Sequence, residues 1–490
     1  MGDRNVAPIP FVPDQQSGVE ELAGASRVAM NITIDSKGAI SLRPGMADYA
    51  LGPQNQTASG NPILWLYAPS DGNLYAVQEV GADWNLMLVK FTGMQSLSER
   101  DGAKLFHAAQ QPIVAETEDR LVFTSGDRPS EMLFSVGYPQ LTGLAGQPDA
   151  AAPPNGTHVV SNNARVLLND TTNTKALIQF SDLSGQSTGG YDVFNGYNQS
   201  ASGFFQGIPN AEPVLALVEK SQQIFCFGRT KSQVWSPDAN TIYAIEAARE
   251  VGCSAPYSVV GTDDSVVWLD HRRRFTMSDG KTLQSISDPQ IQQTLNDMAT
   301  VSDCYGFRFV EGNTDALVWT FPTDGRTFAY LKAGGWSQWS SFDGSQWGAF
   351  AVRSHTLRPD DDANVVGLKD GRIAKLSTNS GDDFGTAINA YIITGFQDRD
   401  TDSLKHCRTV YLAIRRGQTG STEPCGRLSW RDDLGDFGPG MPVSFGATGD
   451  LNTVVVLRGL GTYRRRQWKF EFMTHVAVAS VREEYEVLGI

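Results

Sequence analysis

Residues 215–283 read LALVEKSQQIFCFGRTKSQVWSPDANTIYAIEAAREVGCSAPYSVVGTDDSVVWLDHRRRFTMSDGKTL. Short apolar runs (Ile224–Phe227, Ser258–Val260, Val266–Leu269) alternate here with turn chemistry: Ser236-Pro237-Asp238, Asp263-Asp264 and Ser278-Asp279-Gly280. Branched and aromatic side chains suit a pleated surface, so such runs bounded by Gly, Asp and Ser predict strands. Asp279-Gly280 supplies the positive φ of a tight hairpin. The centre of the chain is therefore predicted to be a series of antiparallel hairpins.

The same phrase, a polar turn followed by a short apolar strand, recurs along the chain. It stands at Asp71–Val77, Glu118–Phe123, Asn163–Leu168 and Ser221–Cys226, then at Asp264–Trp268, Thr314–Trp319 and Asp370–Leu376. Copies lie roughly 42–58 residues apart, the range of a four-stranded propeller blade with variable loops. One twisted sheet cannot bury both its faces, whereas blades stacked around an axis cover one another. The fold predicted is all-β, a β-propeller of six or seven blades over 52–385. The aromatic returns Trp336-Ser-Gln-Trp339 and Gly344-Ser-Gln-Trp347 favour it over a sandwich or tandem sandwiches, which also use evenly spaced short strands. Trp268 and Trp319, each in the strand after a turn, are expected to lie buried between blades.

Working outward, residues 1–51 are predicted to form an N-terminal arm and a first β element. Strands Arg27–Asp35 and Ala39–Leu42 are joined by Ser36-Lys37-Gly38, and Arg43-Pro44-Gly45 reads as a turn. Beyond about Thr386 the strands lengthen and alternate, as in Gln467-Trp468-Lys469-Phe470-Glu471-Phe472, which marks a sheet with one wet face. A β-sandwich is predicted over 386–490. Two interruptions stand out. Ala145–Gly156 is a Pro-rich loop, and Ser287–Ala299 reads as a helix capped by Asp288, with Pro289 in its first turn and Ile291, Leu295 and Met298 on one face.

The 490 residues include 19% charged and 40% hydrophobic positions, an ordinary globular balance. The formal charge of −14 argues against wrapping nucleic acid, which requires Lys and Arg to displace phosphate counterions. A DNA path through such a protein would be lined mainly by acidic and polar groups. Cys226, Cys253, Cys304, Cys407 and Cys425 are widely spaced, with no C-x-x-C or Cys/His cluster, which points to free thiols in a reducing cytoplasm and to no structural zinc. The first residues lack the apolar core of a signal peptide, and no apolar run is long enough to span a membrane.

No nucleotide-binding, nucleophile-elbow or zinc-protease motif is present, and the six histidines are scattered. The expectation is therefore no catalysis, no cofactor and no metal. Asp398-Arg-Asp400-Thr-Asp402 imitates the start of a calcium loop but has Ser403 and Thr409 where Gly and Glu are required. Ser341–Trp347 and Ser429–Phe437 look like degenerate Asp-box turns of sialidase propellers, which are structural in that family. A glycan-acting propeller hydrolase, a phage depolymerase or a sialidase-like enzyme, is the alternative function; it needs a pair of carboxylates that the sequence does not display.

Four regions together carry a family resemblance. The central VGCSAPYSVV…DDSVVWLDHRRRF…SDGKTLQSIS, followed by a helix, resembles the packaged-DNA stabilisation (tail hub or nozzle) proteins of short-tailed double-stranded-DNA phages. Leu42-Arg43-Pro44-Gly45-Met46 looks like their opening Pro-Gly turn, and Ala164–Val166 with Ile178–Asp182 like a second-blade pair. Leu428–Gly435 and Leu460–Glu471 are similar to their C-terminal sheet, with a departure at Trp430-Arg-Asp-Asp-Leu, where the family tends to a plainer Ser-Asp-Asp-Gly-type turn. The resemblance implies a ring, usually of six copies, below the portal and adaptor rings. It would extend the DNA channel, help retain the packaged genome, let duplex DNA pass without sequence-specific binding, and anchor tail fibres, spikes or a plug. It also implies a place in the virion tail after assembly in the host cytoplasm.

Arg464, Arg466, Arg272, Arg273 and Arg274 are the candidate assembly contacts. Trp468, Phe470 and Phe472 share one parity and face the sandwich core, and Arg464 and Arg466 share that parity. Burial of an unpaired charge costs more than any packing gain, so these guanidinium groups need carboxylates or must project past the core. Asp432 or Asp433 would serve within the domain; acidic residues of a neighbouring subunit or of the adaptor would serve in a ring.

Overall fold

A computed structural model describes residues 4–9, 11, 28–49, 60–70, 72–80, 83–90, 93–96, 111–126, 129–133, 141–143, 153–172, 174–183, 203–416, 425–433, 435–445, 452–474 and 476–488. Seven four-stranded antiparallel blades appear among these residues. Blade 1 is Ile63–Tyr67, Leu74–Val80, Asp83–Lys90 and Gly93–Ser96. Blade 2 is Ile113–Glu116, Arg120–Thr124, Ser130–Leu133 and Leu141–Gly143, and blade 3 is Val159–Asn162, Arg165–Asn169, Leu177–Phe180 and Gly203–Gln206. Ala216–Lys220, Gln223–Phe227, Ser232–Asp238 and Ile242–Arg249 make blade 4. Val260–Gly261, Val266–Leu269, Phe275–Ser278 and Gln284–Ser285 make blade 5. Blade 6 is Tyr305–Glu311, Thr314–Phe321, Arg326–Leu331 and Gly335–Phe342. Blade 7 takes Val352–Arg358, Ala363–Leu368 and Ile373–Ser377 from one end of the propeller segment, and its fourth strand, Gly45–Asp48, from the other.

Each gap between blades is filled by an apolar layer, and the one between blades 6 and 7 runs on into the core of the C-terminal strands. Val77 and Phe123 meet between blades 1 and 2, Val122 and Val166 between 2 and 3, and Leu167 and Ile224 between 3 and 4. Phe227 meets Trp268 between blades 4 and 5, while Leu269 and Phe275 pack on Trp319 between 5 and 6. Val318 and Val366 lie between blades 6 and 7, and Val365 reaches Ile63 of blade 1, which closes the circle. The molecule is thus a closed β-propeller. Trp268 and Trp319 are fully buried between blades, as the position after a turn predicts.

The predicted phrase marks the second strand of blades 1–6. Its seventh copy, Asp370–Leu376, falls instead on the third strand of blade 7. The true second strand, Ala363–Leu368, follows the turn Asp360-Asp361-Asp362 and carries the same signal. Pro44-Gly45 is not a positive-φ turn either. Gly45 begins the closing strand, and a Cβ there would come within 2.4 Å of the Asp382 carbonyl and 2.6 Å of that of Ser380.

The helix is Pro289–Asp297 (α1), with the Asp288 carboxylate accepting from the Ile291 N–H at 2.7 Å. Ile291, Leu295 and Met298 enter the layer between blades 5 and 6, so its apolar face packs into the propeller. Residues 145–152 of the Pro-rich loop lie outside the described residues.

The C-terminal strands form two sheets packed on a common core. One holds Lys405–Arg416, Val476–Val487 and Thr453–Arg458; the other holds Ala390–Ile393, Arg466–Phe472, Cys425–Asp432 and Met441–Ser444. Residues 1–51 are not a separate unit. Arg4–Pro8 and Ile40–Leu42 pair with Val476–Val487, and Val28–Met30 pairs with Ala390–Ile393. The predicted strand over 27–35 is broken at Asn31, whose φ of 53° turns the chain from one sheet to the other. Val28–Met30 also meets the outer strand of blade 6 at Met30–Gln338, so propeller and sandwich share a continuous sheet. A three-residue strand cannot bury its edges alone, and here both edges are paired.

Candidate functional site

The five sequence-selected arginines do not come together. Arg466 is completely buried, and its Nε and Nη2 donate to the two Asp432 carboxylate oxygens at 2.6 and 2.9 Å. Tyr463 and Trp468 flank the guanidinium at 4.3 and 5.1 Å from their ring centroids. This is the pair within the domain, made across the strand partners Asp432 and Arg466. Arg466 therefore leaves the set of surface contacts, because its charge is satisfied inside the chain. Arg464 is exposed, with Nη1 donating to the Asp402 carbonyl at 2.6 Å.

In the Asp270–Arg274 turn, the wholly buried Asp270 is the organiser. Its carboxylate accepts the N–H groups of Arg272 and Arg274, and the Arg274 guanidinium at 3.1 and 2.9 Å. Arg273, with a φ of 59°, donates to the carbonyls of Leu295, Asn296 and Met298. These are the orphan acceptors at the end of α1, where a cation is favoured. Arg272 remains exposed, with no side-chain partner among the described residues. Of the candidate contacts, Arg272 and Arg464 are thus presented outward, one on blade 5 and the other on the sandwich.

Two ionic joints escaped the sequence. Arg399 donates to the fully buried Glu483 at 2.8 Å, and the Tyr463 hydroxyl donates to the other Glu483 oxygen at 2.7 Å. Glu483 also helps to hold the Cys407 thiol in its protonated form, after burial itself. The Lys405 ammonium donates to the carbonyls of Thr401, Ser403 and Arg464 at 2.6–2.8 Å. The loop that imitates a calcium site is therefore closed by a lysine. Among the described residues no group of three His, Cys, Asp or Glu could hold a metal.

The second joint links the two units. Arg43, with no exposed surface, donates to Asp383 through Nη1 at 3.1 Å and Nη2 at 2.5 Å, to the Ser340 carbonyl at 2.8 Å, and to Asn31 Oδ1 at 3.2 Å. Asn31 in turn accepts from the Ser340 N–H at 2.7 Å and donates to the Asn389 carbonyl at 2.9 Å. The first sandwich strands, blade 6 and the segment beside blade 7 meet at this one side chain.

No family model matches the sequence, and no curated protein matches it. Among solved structures the chain is similar to BamB from Moraxella catarrhalis, at 9% identity and a TM-score of 0.38 over 76% of this chain and 98% of that one. It is also similar to the extracellular domain of the putative one component system BT4673 from B. thetaiotaomicron, at 11% identity and a TM-score of 0.43. That match spans 94% of this chain and 62% of the other. The Neurospora crassa Pan2 WD40 domain matches at 7% identity and a TM-score of 0.40, over 70% and 97% of the two chains. The architecture itself rests on the strand pairing described above.

Replacing Asp432 with alanine is expected to lower stability by about 1.5–3 kcal/mol, the range for a hydrogen bond to a charged group, since Asp432 is a third exposed and water partly compensates. Arg464→Ala should shift it by no more than about 0.5 kcal/mol. Urea denaturation of the two variants side by side checks the contrast.

Proposed function

We propose that the chain is a structural subunit of a phage tail, a hub or nozzle protein that forms a ring of six copies below the portal and adaptor. In this role it extends the channel through which duplex DNA passes, helps retain the packaged genome, and anchors tail appendages, with no substrate turnover. The observation that carries the reading is the joint at Arg43. Leu42–Met46, one of the segments that carries the resemblance, leaves the sandwich, passes Arg43 and closes blade 7. A subunit that bears load along a channel needs its domains coupled, and this stretch couples them through both backbone pairing and a buried ion pair. Arg272 and Arg464, the outward-facing arginines, are the residues proposed to meet acidic groups on neighbouring subunits or the adaptor.

Mixing the purified protein with the portal and adaptor proteins of the same particle tests this. Co-sedimentation at six copies per adaptor ring is expected, weakened when Arg272 and Arg464 are both replaced by alanine. Failure to co-sediment, together with cleavage of a host glycan that one Asp or Glu substitution abolishes, would instead favour the hydrolase.

A further inference from the structure

One pole of the propeller axis collects polar side chains, three of which each bury one atom without a hydrogen-bond partner. Each blade is a four-stranded meander, so the innermost strands all run in one direction and begin at the same pole. Gln111 precedes the innermost strand of blade 2 and His158 that of blade 3; Tyr257 precedes that of blade 5. Tyr305 opens the innermost strand of blade 6, and Arg353 is the second residue of that of blade 7. Two pairs of these side chains are in contact, His158 with Tyr257 and Arg353 with Tyr305. The His158 ring stacks on Tyr257 at 5.7 Å, although blade 4 separates their blades in the ring. The Tyr257 hydroxyl lies against the Gln111 backbone and within the field of Arg353. Arg353 sits over the Tyr305 ring at 4.1 Å.

Arg353 also occupies a break in register between Val352 and Ser354. Such bulges re-aim a side chain. Its Nη1 is buried without a hydrogen-bond partner, and the same holds for Gln111 Oε1 and His158 Nε2. His158 is 3% exposed, and burial, only partly offset by the Pro256 carbonyl, takes its pKa to about 4. The ring is therefore neutral near pH 7. Lys369, in the adjoining turn, reaches solvent, yet its crowded setting and then the Arg353 charge lower its pKa. Neither cation makes an ion pair among the described residues.

The three orphan atoms share a property. Arg353 Nη1 is a donor; the Gln111 amide becomes one when rotated; a neutral imidazole can place its proton on Nε2. Two uncompensated cations disfavour a bound metal ion, and water alone would leave their charge in place. We propose that this pole is a binding site for a small oxyanion of phosphate or sulfate chemistry, held between Arg353 and Lys369 above the His158–Tyr257 platform. The site is independent of the proposed tail role.

Calorimetric titration of the intact protein with inorganic phosphate tests the proposal, with chloride at matched ionic strength as the control. Saturable phosphate binding is expected, weakened at least tenfold in Arg353→Gln and at least threefold in Lys369→Gln. Lys369 is exposed, so its variant remains readable if Arg353→Gln fails to fold. Absence of saturable binding to the unaltered protein, or a folded variant that binds as the unaltered protein does, would overturn the assignment.

Discussion

Asp383→Ala is expected to destabilise the protein by about 3–5 kcal/mol, the range for removing one partner of a buried ion pair. Arg43 has no exposed surface and Asp383 only 11%, so solvent cannot take over when the carboxylate is removed. The guanidinium would keep its neutral acceptors, the carbonyls of Ser340 and Pro44 and the Asn31 amide oxygen, but no counter-charge. Asp383 also accepts from the Met46 N–H, so the closing strand of blade 7 loses an anchor in the same step. Removing both charges, in Arg43→Met with Asp383→Ala, should cost less than Asp383→Ala alone plus Arg43→Met alone, because no isolated charge remains. Denaturation midpoints of the three variants check this. A loss below about 1 kcal/mol for Asp383→Ala would show that the pair does not join the two units.

Trp319→Ala is expected to cost about 3–5 kcal/mol, as for other fully buried aromatics cut to alanine. The ring fills the layer between blades 5 and 6, 4.2 Å from Phe275 and 5.8 Å from Trp336. Its Nε1 donates to the Ser258 carbonyl at 2.8 Å, which would be left without that donor. The indole also lies across Gly306, where a Cβ would come within 2.4 Å of it. Gly306 is thus small so that Trp319 can lie flat, and collapse of the backbone onto the vacated space is limited by the strand pairing on both sides. Thermal unfolding of the variant followed by circular dichroism reads the effect; a midpoint within about 1 °C of the unaltered protein's, roughly 1 kcal/mol or less on a chain of this size, would contradict it.

What was legible in the sequence was local. A turn followed by branched or aromatic residues marks a strand wherever it occurs, so Arg120–Thr124, Gln223–Phe227 and Val266–Leu269 could be read directly. Asp288, Pro289 and the spacing of Ile291, Leu295 and Met298 likewise specified α1. What was not legible was long-range pairing. Gly45–Asp48 joins Ile373–Ser377 across most of the chain, and nothing in the period of either strand names the other. Nor does parity name the partner of a buried charge. Arg466 announced its need for a carboxylate through the strand it continues, and Asp432 was within reach of that argument. Arg43 stands before a Pro-Gly pair that resembles a loop, and Glu483 sits in a strand rich in charge, so neither looked buried. Arg353 and His158 gave no signal because their contacts depend on how the blades close around the axis.

The proposed ring is tested most directly by negative-stain imaging of the purified protein. The account predicts closed rings of six copies with an open centre, lost or weakened when Arg272 and Arg464 are both replaced by alanine while the chain stays folded. Isolated particles the size of one propeller and one sandwich, in the presence of portal and adaptor as in their absence, would contradict it.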